Sequence, residues 1–234
     1  MSTTEYPYEE NGYTLYSNDL CPYAQRALRA FDAAKVPYKL EHIDLNNKPS
    51  WYHLVNPQLK VPSLRTPDGT ILIESLVIAE FVADQFPDTH LLSTNATERA
   101  QLRLFIELFG TRFNPFIYRT LMTANKDEQE KHKQSLIDGL KEISKELERQ
   151  RERKSGKGGP FWYGEWGYAE IALSSFVGLL VPLANYRGFA VPETDEFAAF
   201  NRWHQAILQA PGFTKFKPDE QTLNAAYKKF VADE

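Results

Sequence analysis

Tyr13-Thr14-Leu15-Tyr16-Ser17-Asn18-Asp19-Leu20-Cys21-Pro22-Tyr23-Ala24-Gln25-Arg26 holds a strand, a turn and the opening of a helix, and it contains the chain's single cysteine. Residues 13–16 read as a short apolar strand and residues 17–19 as a polar turn, after which Ala24, Ala27, Leu28 and Phe31 recur at helical spacing. Cys21 therefore falls at or just before the first helical residue. Pro22 suits the first turn, because its φ is already helical and its missing N–H would have had no intrahelical partner. The remaining free N–H groups and the positive end of the helix dipole face position 21, which favours a thiolate over a thiol. Thiols in such settings have pKa values lowered from about 8.5 into a range of roughly 3.5 to 7.5. A lowered pKa is the expectation here; the alternative is a buried, inert cysteine.

Where a dithiol redox motif would carry its second cysteine, this chain has Ala24. With one sulfur no intramolecular disulfide can form, so any disulfide chemistry at Cys21 is monothiol exchange, resolved by an external thiol. A single cysteine also argues for a reducing compartment, hence a cytoplasmic location.

Outward from this stretch, the chain reads as two halves. The helix over residues 22–35 leads to a second strand over 38–43, and the intervening helix implies a parallel pair with a right-handed crossover. Ser63 to Arg65 and Ile71 to Ile73 flank Thr66-Pro67-Asp68-Gly69, which suits a type I turn and an antiparallel hairpin. A helix with Ala79, Val82, Ala83 and Phe86 on one face follows. The order βαβ then ββα is thioredoxin-like. Beyond a short polar linker the pattern is helical throughout. Residues 97–122 form a long helix that Pro115 should kink or break, and Leu136, Leu140, Ile143 and Leu147 mark a narrow stripe on another. Residues 154–159 read as a Gly and Lys loop. Residues 171–184 are the longest apolar run, too short to span a bilayer and better explained as a buried helix. Phe197, Phe200, Trp203, His204 and Ile207, and then Leu223, Ala226, Tyr227 and Phe230, mark the last helices. The expected fold class is α/β plus all-α: a loose tail over residues 1–12, a thioredoxin-like domain over 13–90, a linker over 91–96 and a helical-bundle domain over 97–234.

The 234 residues suffice for a substantial core. A 42% hydrophobic share with 25% charged residues is ordinary for a soluble globular protein, and a net charge of -4 gives no reason to expect nucleic-acid binding. No secretory signal is visible and no membrane association is expected. The histidines are scattered without metal-ligand spacing, so no metal is expected. Ser155-Gly156-Lys157-Gly158-Gly159 lacks the spacing of a phosphate loop.

Cys21-Pro22-Tyr23-Ala24-Gln25-Arg26, Asn47-Lys48-Pro49-Ser50-Trp51, Val61-Pro62-Ser63-Leu64 and Glu74-Ser75, in that order and spacing, resemble the cytosolic glutathione transferases, and most closely their cysteine-using omega class. The resemblance implies glutathione as co-substrate. X-Pro bonds are cis in only about 5–6% of cases, so the residues alone read Val61-Pro62 as trans. The resemblance implies cis, turning the Val61 backbone outward to pair with the cysteinyl backbone of glutathione. It also implies that Ser75 and the free N–H groups around it hold a carboxylate, that Glu74 answers the ammonium group, that Lys48 lies near the opposite carboxylate, and that Pro22 and Tyr23 flank the bound tripeptide beside Cys21. The alternative for Glu74-Ser75 is helix capping, and for Lys48 a solvated loop lysine. By position a second-substrate pocket draws on Phe113, Phe116, Tyr118, Leu223, Tyr227 and Phe230, which could equally be core. One departure stands out: the family's helix-opening box usually runs from serine or threonine to aspartate, and here it runs from Gly167 to Glu170.

The function that follows is a glutathione-dependent thiol transferase acting through Cys21, with dehydroascorbate reduction or removal of glutathionyl groups as forms of the same cycle. A conjugating transferase acting on electrophiles and a ligandin-like carrier of apolar metabolites are the alternatives. The family resemblance implies a homodimer.

Overall fold

The computed structural model describes residues 6–154 and 158–232. The chain divides into two compact units, Met1–Leu92 and Ser93–Glu234.

In the first unit, β1 (Thr14–Ser17) is wholly buried and leads into α1 (Pro22–Ala34). The helix ends at Lys35, which adopts a left-handed φ of 55° and donates its N–H to Asp32 O. β2 (Lys39–His42) returns parallel to β1, with Thr14 opposite Lys39. A short α2 (Tyr52–Val55) precedes β3 (Ser63–Arg65) and β4 (Ile71–Ile73), which pair antiparallel. β3 also pairs antiparallel with β1, giving the sheet order β2-β1-β3-β4. At the hairpin, Gly69 donates to Thr66 O at 2.9 Å with φ +91°, a conformation that favours glycine. α3 (Ser75–Gln85) closes the unit and packs on α1.

Of the expected N-terminal tail, residues 1–5 lie outside the described residues. The next few lie along the sheet: Tyr16 OH donates to Pro7 O at 2.7 Å, the Glu9 N–H donates to Thr14 Oγ1 at 2.7 Å, and the Arg65 guanidinium sits 3.9 Å above the Tyr8 ring.

The second unit is helical. α4 (Ala96–Arg112) opens on Asn95, whose side chain accepts from the Thr97 and Glu98 N–H groups. The long helix expected over residues 97–122 breaks at Phe113, ahead of Pro115, and continues as α5 (Asn114–Met122). Breaking early puts Pro115 in the first turn of a new helix, where a missing N–H costs nothing. α6 (Lys126–Arg153) is capped by Asn125 and buries Leu136, Leu140, Ile143 and Leu147. The loop after it falls partly outside the described residues, at 155–157. The single buried helix expected over residues 171–184 is two, α7 (Tyr168–Val177) and α8 (Leu180–Arg187), with Gly178 and Leu179 between them. Pro182 has no N–H to give to Gly178 O, so here too the break falls just ahead of a proline. The stretch Tyr168–Arg187 has the length and apolarity of a membrane-spanning helix, but 83% of its most apolar window is buried inside the protein. α9 (Ala198–Gln209), α10 (Pro211–Thr214) and α11 (Glu220–Lys228) complete the unit.

The core of the second unit is aromatic. Phe105 stacks on Trp162 with centroids 4.3 Å apart, and Trp203 meets Phe105, Phe109 and Phe200. Within it the fully buried Glu170 carboxylate accepts from the Trp162 N–H and Trp203 Nε1, both at 2.9 Å, and from the Gly167 N–H at 3.2 Å. Gly167, which has no side chain, opens α7 through its backbone, its N–H donating to Glu170 and its carbonyl accepting from the Ile171 N–H at 3.0 Å; burial raises the Glu170 pKa while the donors to its carboxylate pull it down.

Candidate functional site

The first unit carries a cleft of about 550 Å³, lined by Cys21, Tyr23, Val61, Pro62 and Ser75 and around its rim by the exposed Lys48, Lys60 and Glu74. Leu45, Asn56 and Leu59 also line it. Each group arrives by a different local device.

Cys21 is the N-cap of α1, with extended backbone angles, and its carbonyl accepts from the Gln25 N–H at 3.0 Å. Pro22 is buried in the first turn behind it. The thiol makes no capping hydrogen bond, yet the amides of Ala24 and Tyr23 and the Arg26 guanidinium all favour its ionised form. Against them stands an apolar wall of Tyr16, Ile43, Tyr52, Val55 and Val61. Burial wins, and the Cys21 pKa lies above the ordinary thiol value rather than below it. The lowering expected from the helix N-terminus is present in kind, but removal of water from the sulfur outweighs it.

The Val61-Pro62 peptide is cis, as the family resemblance implied. Buried side chains hold the chain on both sides of it. The carbonyl of Lys60 accepts from Tyr52 OH at 2.7 Å and from Asn56 Nδ2 at 2.8 Å. Beyond Pro62, Ser63 Oγ lies 3.1 Å from Tyr52 OH and accepts from Asn56 Nδ2 at 3.2 Å. Burial pushes the Tyr52 pKa up to about 12, so the phenol remains a donor at neutral pH.

Glu74 and Ser75 meet the cleft where β4 ends and α3 begins. Glu74 caps α3 with φ +70° and Leu59 has φ +54°, both in the left-handed region. Non-glycine residues held there cost on the order of 1–3 kcal/mol each, a strain that concentrates at binding sites. Ser75 is buried, and its Oγ accepts from an Arg26 guanidinium N–H at 3.1 Å. The rim thus offers two lysines, one glutamate and a helix N-terminus. That set matches a small zwitterion carrying more than one carboxylate.

Sequence reasoning missed several of the residues at this site. Asn56 stands before Pro57, a turn signal, and Lys60 adjoins Val61, so both were within reach of a closer reading. Leu45 and Leu59 gave no signal, and neither did the buried Tyr52 or the contact between Arg26 and Ser75.

The aromatic residues of the second unit separate. Tyr118, Tyr227 and Phe230 gather, with ring centroids 5.5–6.3 Å apart and the two hydroxyls 3.4 Å from each other. Leu223 is buried on the same helix as Tyr227. Phe113 lies in the core against Phe109 and Phe200, and Phe116 faces His132. Among the described residues no group of three His, Cys, Asp or Glu side chains is placed to hold a metal ion.

The family model described as glutathione S-transferase, N-terminal domain, matches residues 15–90. The pyrimidodiazepine synthase of Drosophila melanogaster is 39% identical over 111 residues, 46% of each chain. A probable cytosolic glutathione S-transferase of Oryza sativa subsp. japonica, DHAR1, is 25% identical over 88% of each. The crystal structure of glutathione transferase Omega 1C from Trametes versicolor superposes with a TM-score of 0.76 at 27% identity, covering 95% of this chain and 99% of that one. The match to several curated relatives, the fruit-fly enzyme among them, spans about half of their length.

Proposed function

Because this chain matches the omega class of the cytosolic glutathione transferases, we propose that it is a glutathione-dependent thiol transferase working by monothiol exchange through Cys21. The observation that carries this reading is a lone cysteine at a helix N-cap, opening into a cleft whose other walls are a cis Val-Pro peptide and the start of α3.

The Cys21 thiolate attacks the glutathionyl sulfur of a mixed disulfide. The S–S bond breaks, the substrate's thiolate leaves and takes a proton from solvent, and Cys21 carries the glutathionyl group. A thiolate of reduced glutathione attacks that same sulfur, releasing oxidised glutathione and restoring the Cys21 thiolate. In this reading the Val61 backbone pairs with the cysteinyl unit of the tripeptide, Ser75 and the α3 N-terminus hold the γ-glutamyl carboxylate, Glu74 answers its ammonium group and Lys48 the glycyl carboxylate. Pro22 fixes the turn, and Tyr23 borders the cleft. Dehydroascorbate is an alternative oxidant: two glutathione molecules supply two electrons and two protons, giving ascorbate and oxidised glutathione. Since burial raises the Cys21 pKa, exchange should accelerate with pH until the thiol is ionised.

The test is intact mass after treatment with oxidised glutathione. One glutathionyl adduct, mapped to Cys21 and removed by reduced glutathione, is expected. No adduct, together with strong conjugation of a chloronitroaromatic, would overturn exchange in favour of conjugation. Ligand binding without turnover of any thiol would favour a carrier. We extend the reading to a cytoplasmic homodimer, to be checked by light scattering on the purified protein.

A further inference from the structure

We propose that Arg26 is a positioning residue that couples the carboxylate pocket at Ser75 to the thiol at Cys21, although it does not itself line the cleft. The inference rests on the reading of Ser75 as a carboxylate site and assigns that site its hidden partner.

Arg26 lies in α1 and is only 5% exposed, while Ser75 opens α3 and is 6% exposed. The guanidinium Nη1 lies 3.1 Å from Ser75 Oγ. A guanidinium has donors only, so Ser75 must be the acceptor in this contact. A hydroxyl has one proton and two acceptor lone pairs, so the contact with Arg26 takes one lone pair and leaves the proton to be donated. Ser75 lines the cleft, so a guanidinium held on one side of the oxygen biases the hydroxyl towards offering its proton to an anion on the other. The buried positive charge adds to the field of the α3 N-terminus, which already favours a carboxylate there.

Arg26 also reaches two other groups that line the cleft. Its guanidinium carbon lies 5.4 Å from the centroid of the Tyr23 ring. Its charge is among the influences that oppose burial at the Cys21 sulfur. One side chain thus stands behind Cys21, Tyr23 and Ser75 together. Lysine at this position would keep the charge but lose the fork that reaches in several directions.

The experiment compares glutathione with an analogue that lacks only the γ-glutamyl α-carboxylate, 4-aminobutanoyl-cysteinylglycine. Wild type, Arg26→Lys, Arg26→Gln and Ser75→Ala are assayed for KM and kcat in disulfide exchange. Wild type should prefer glutathione in KM by about tenfold or more, the scale of a charge-assisted hydrogen bond. In Arg26→Gln the KM for glutathione should rise towards that of the analogue, with the analogue's KM little changed, so that the preference collapses. Arg26→Lys should lie between the two. In parallel, the pH midpoint of Cys21 alkylation by iodoacetamide should move upward in Arg26→Gln and much less in Arg26→Lys.

An undiminished preference in both Arg26 variants would overturn the inference while leaving Ser75 as a carboxylate site, provided Ser75→Ala abolishes the preference. Equal loss for both substrates, tracking a lowered melting temperature, would mean Arg26 is merely structural and would also overturn it. A wild type that does not distinguish the two tripeptides would remove the carboxylate site itself, and the inference with it. Should Arg26→Gln fail to fold, the same decision is read from Arg26→Lys.

Discussion

Two helix N-termini in this protein are opened by contrasting residues. α6 begins at Asn125, whose side chain accepts from the Glu128 N–H, whereas α1 begins at Cys21, whose thiol makes no capping hydrogen bond. The same contrast runs through the two units. In the second, the fully buried Glu170 carboxylate accepts from Trp162, Trp203 and Gly167, and the aromatic rings fill a closed core. In the first, lysines, a glutamate and a serine hydroxyl are turned towards an open cleft, with Glu74 and Leu59 held at positive φ. Groups that satisfy one another stabilise a fold, and groups left facing a cleft are available to a ligand.

The sharpest way to break this comparison is Cys21→Ser. Disulfide exchange should fall to background, measured with a glutathionylated peptide; retained turnover would sink the Cys21 mechanism. Next in size is Glu170→Ala, which leaves three buried donors without an acceptor and should cost about 3–5 kcal/mol in urea unfolding. Exchange per folded molecule should survive. A loss of activity without a loss of stability would contradict the division of labour between the units.

His204 gives a pH-dependent effect of similar order. Burial lowers its pKa to about 4, so the folded protein prefers the neutral ring. Its contribution is present above the unfolded value of about 6.5 and is lost as pH falls towards 4, a change of about 3 kcal/mol over that window. Unfolding free energies measured from pH 7 to 4 should show this slope, and His204→Phe, which keeps the contact with the Phe200 ring, should flatten it.

The smallest effect returns to the caps. Asn125→Ala should cost about 1 kcal/mol, whereas Cys21→Ser, inactive as it is, should gain about 0.5–1 kcal/mol, because serine caps where a thiol does not. A Cys21→Ser protein less stable than wild type would show that the sulfur's packing matters more than the vacant cap.

Most of the elements were legible because their signals are local. The strand at residues 13–16, the helix after Cys21, the Pro67-Asp68-Gly69 hairpin and the stripe from Leu136 to Leu147 each announce themselves within a few residues, and the structure moves their ends by one or two positions. An interruption near Pro115 was expected without its place at Phe113, and the break around Gly178 was not expected at all. A proline signals interruption, but whether the chain kinks at it or restarts just ahead of it depends on what the new helix packs against. Within the cleft, Cys21 could be picked out by type and spacing, whereas Lys48 and Glu74-Ser75 were singled out by the family resemblance. The cis state of Val61-Pro62 came from the family resemblance, since the dipeptide alone favours trans.

The sequence by itself determined that any disulfide chemistry here uses one sulfur and an external thiol, because composition admits no other arrangement, and that this sulfur stands at a helix N-terminus. Tertiary structure alone decided the environment of the sulfur and the partner that the Ser75 hydroxyl meets. The cluster that includes Tyr16, Tyr52 and Val61, from separate segments, packs against Cys21 and strips water from it, and Arg26 reaches from α1 to donate to the Ser75 hydroxyl. Helix dipoles and caps act over a turn of chain and can be read from adjacent residues. Desolvation and buried hydrogen bonds depend on which distant side chains meet, and only folding brings those together.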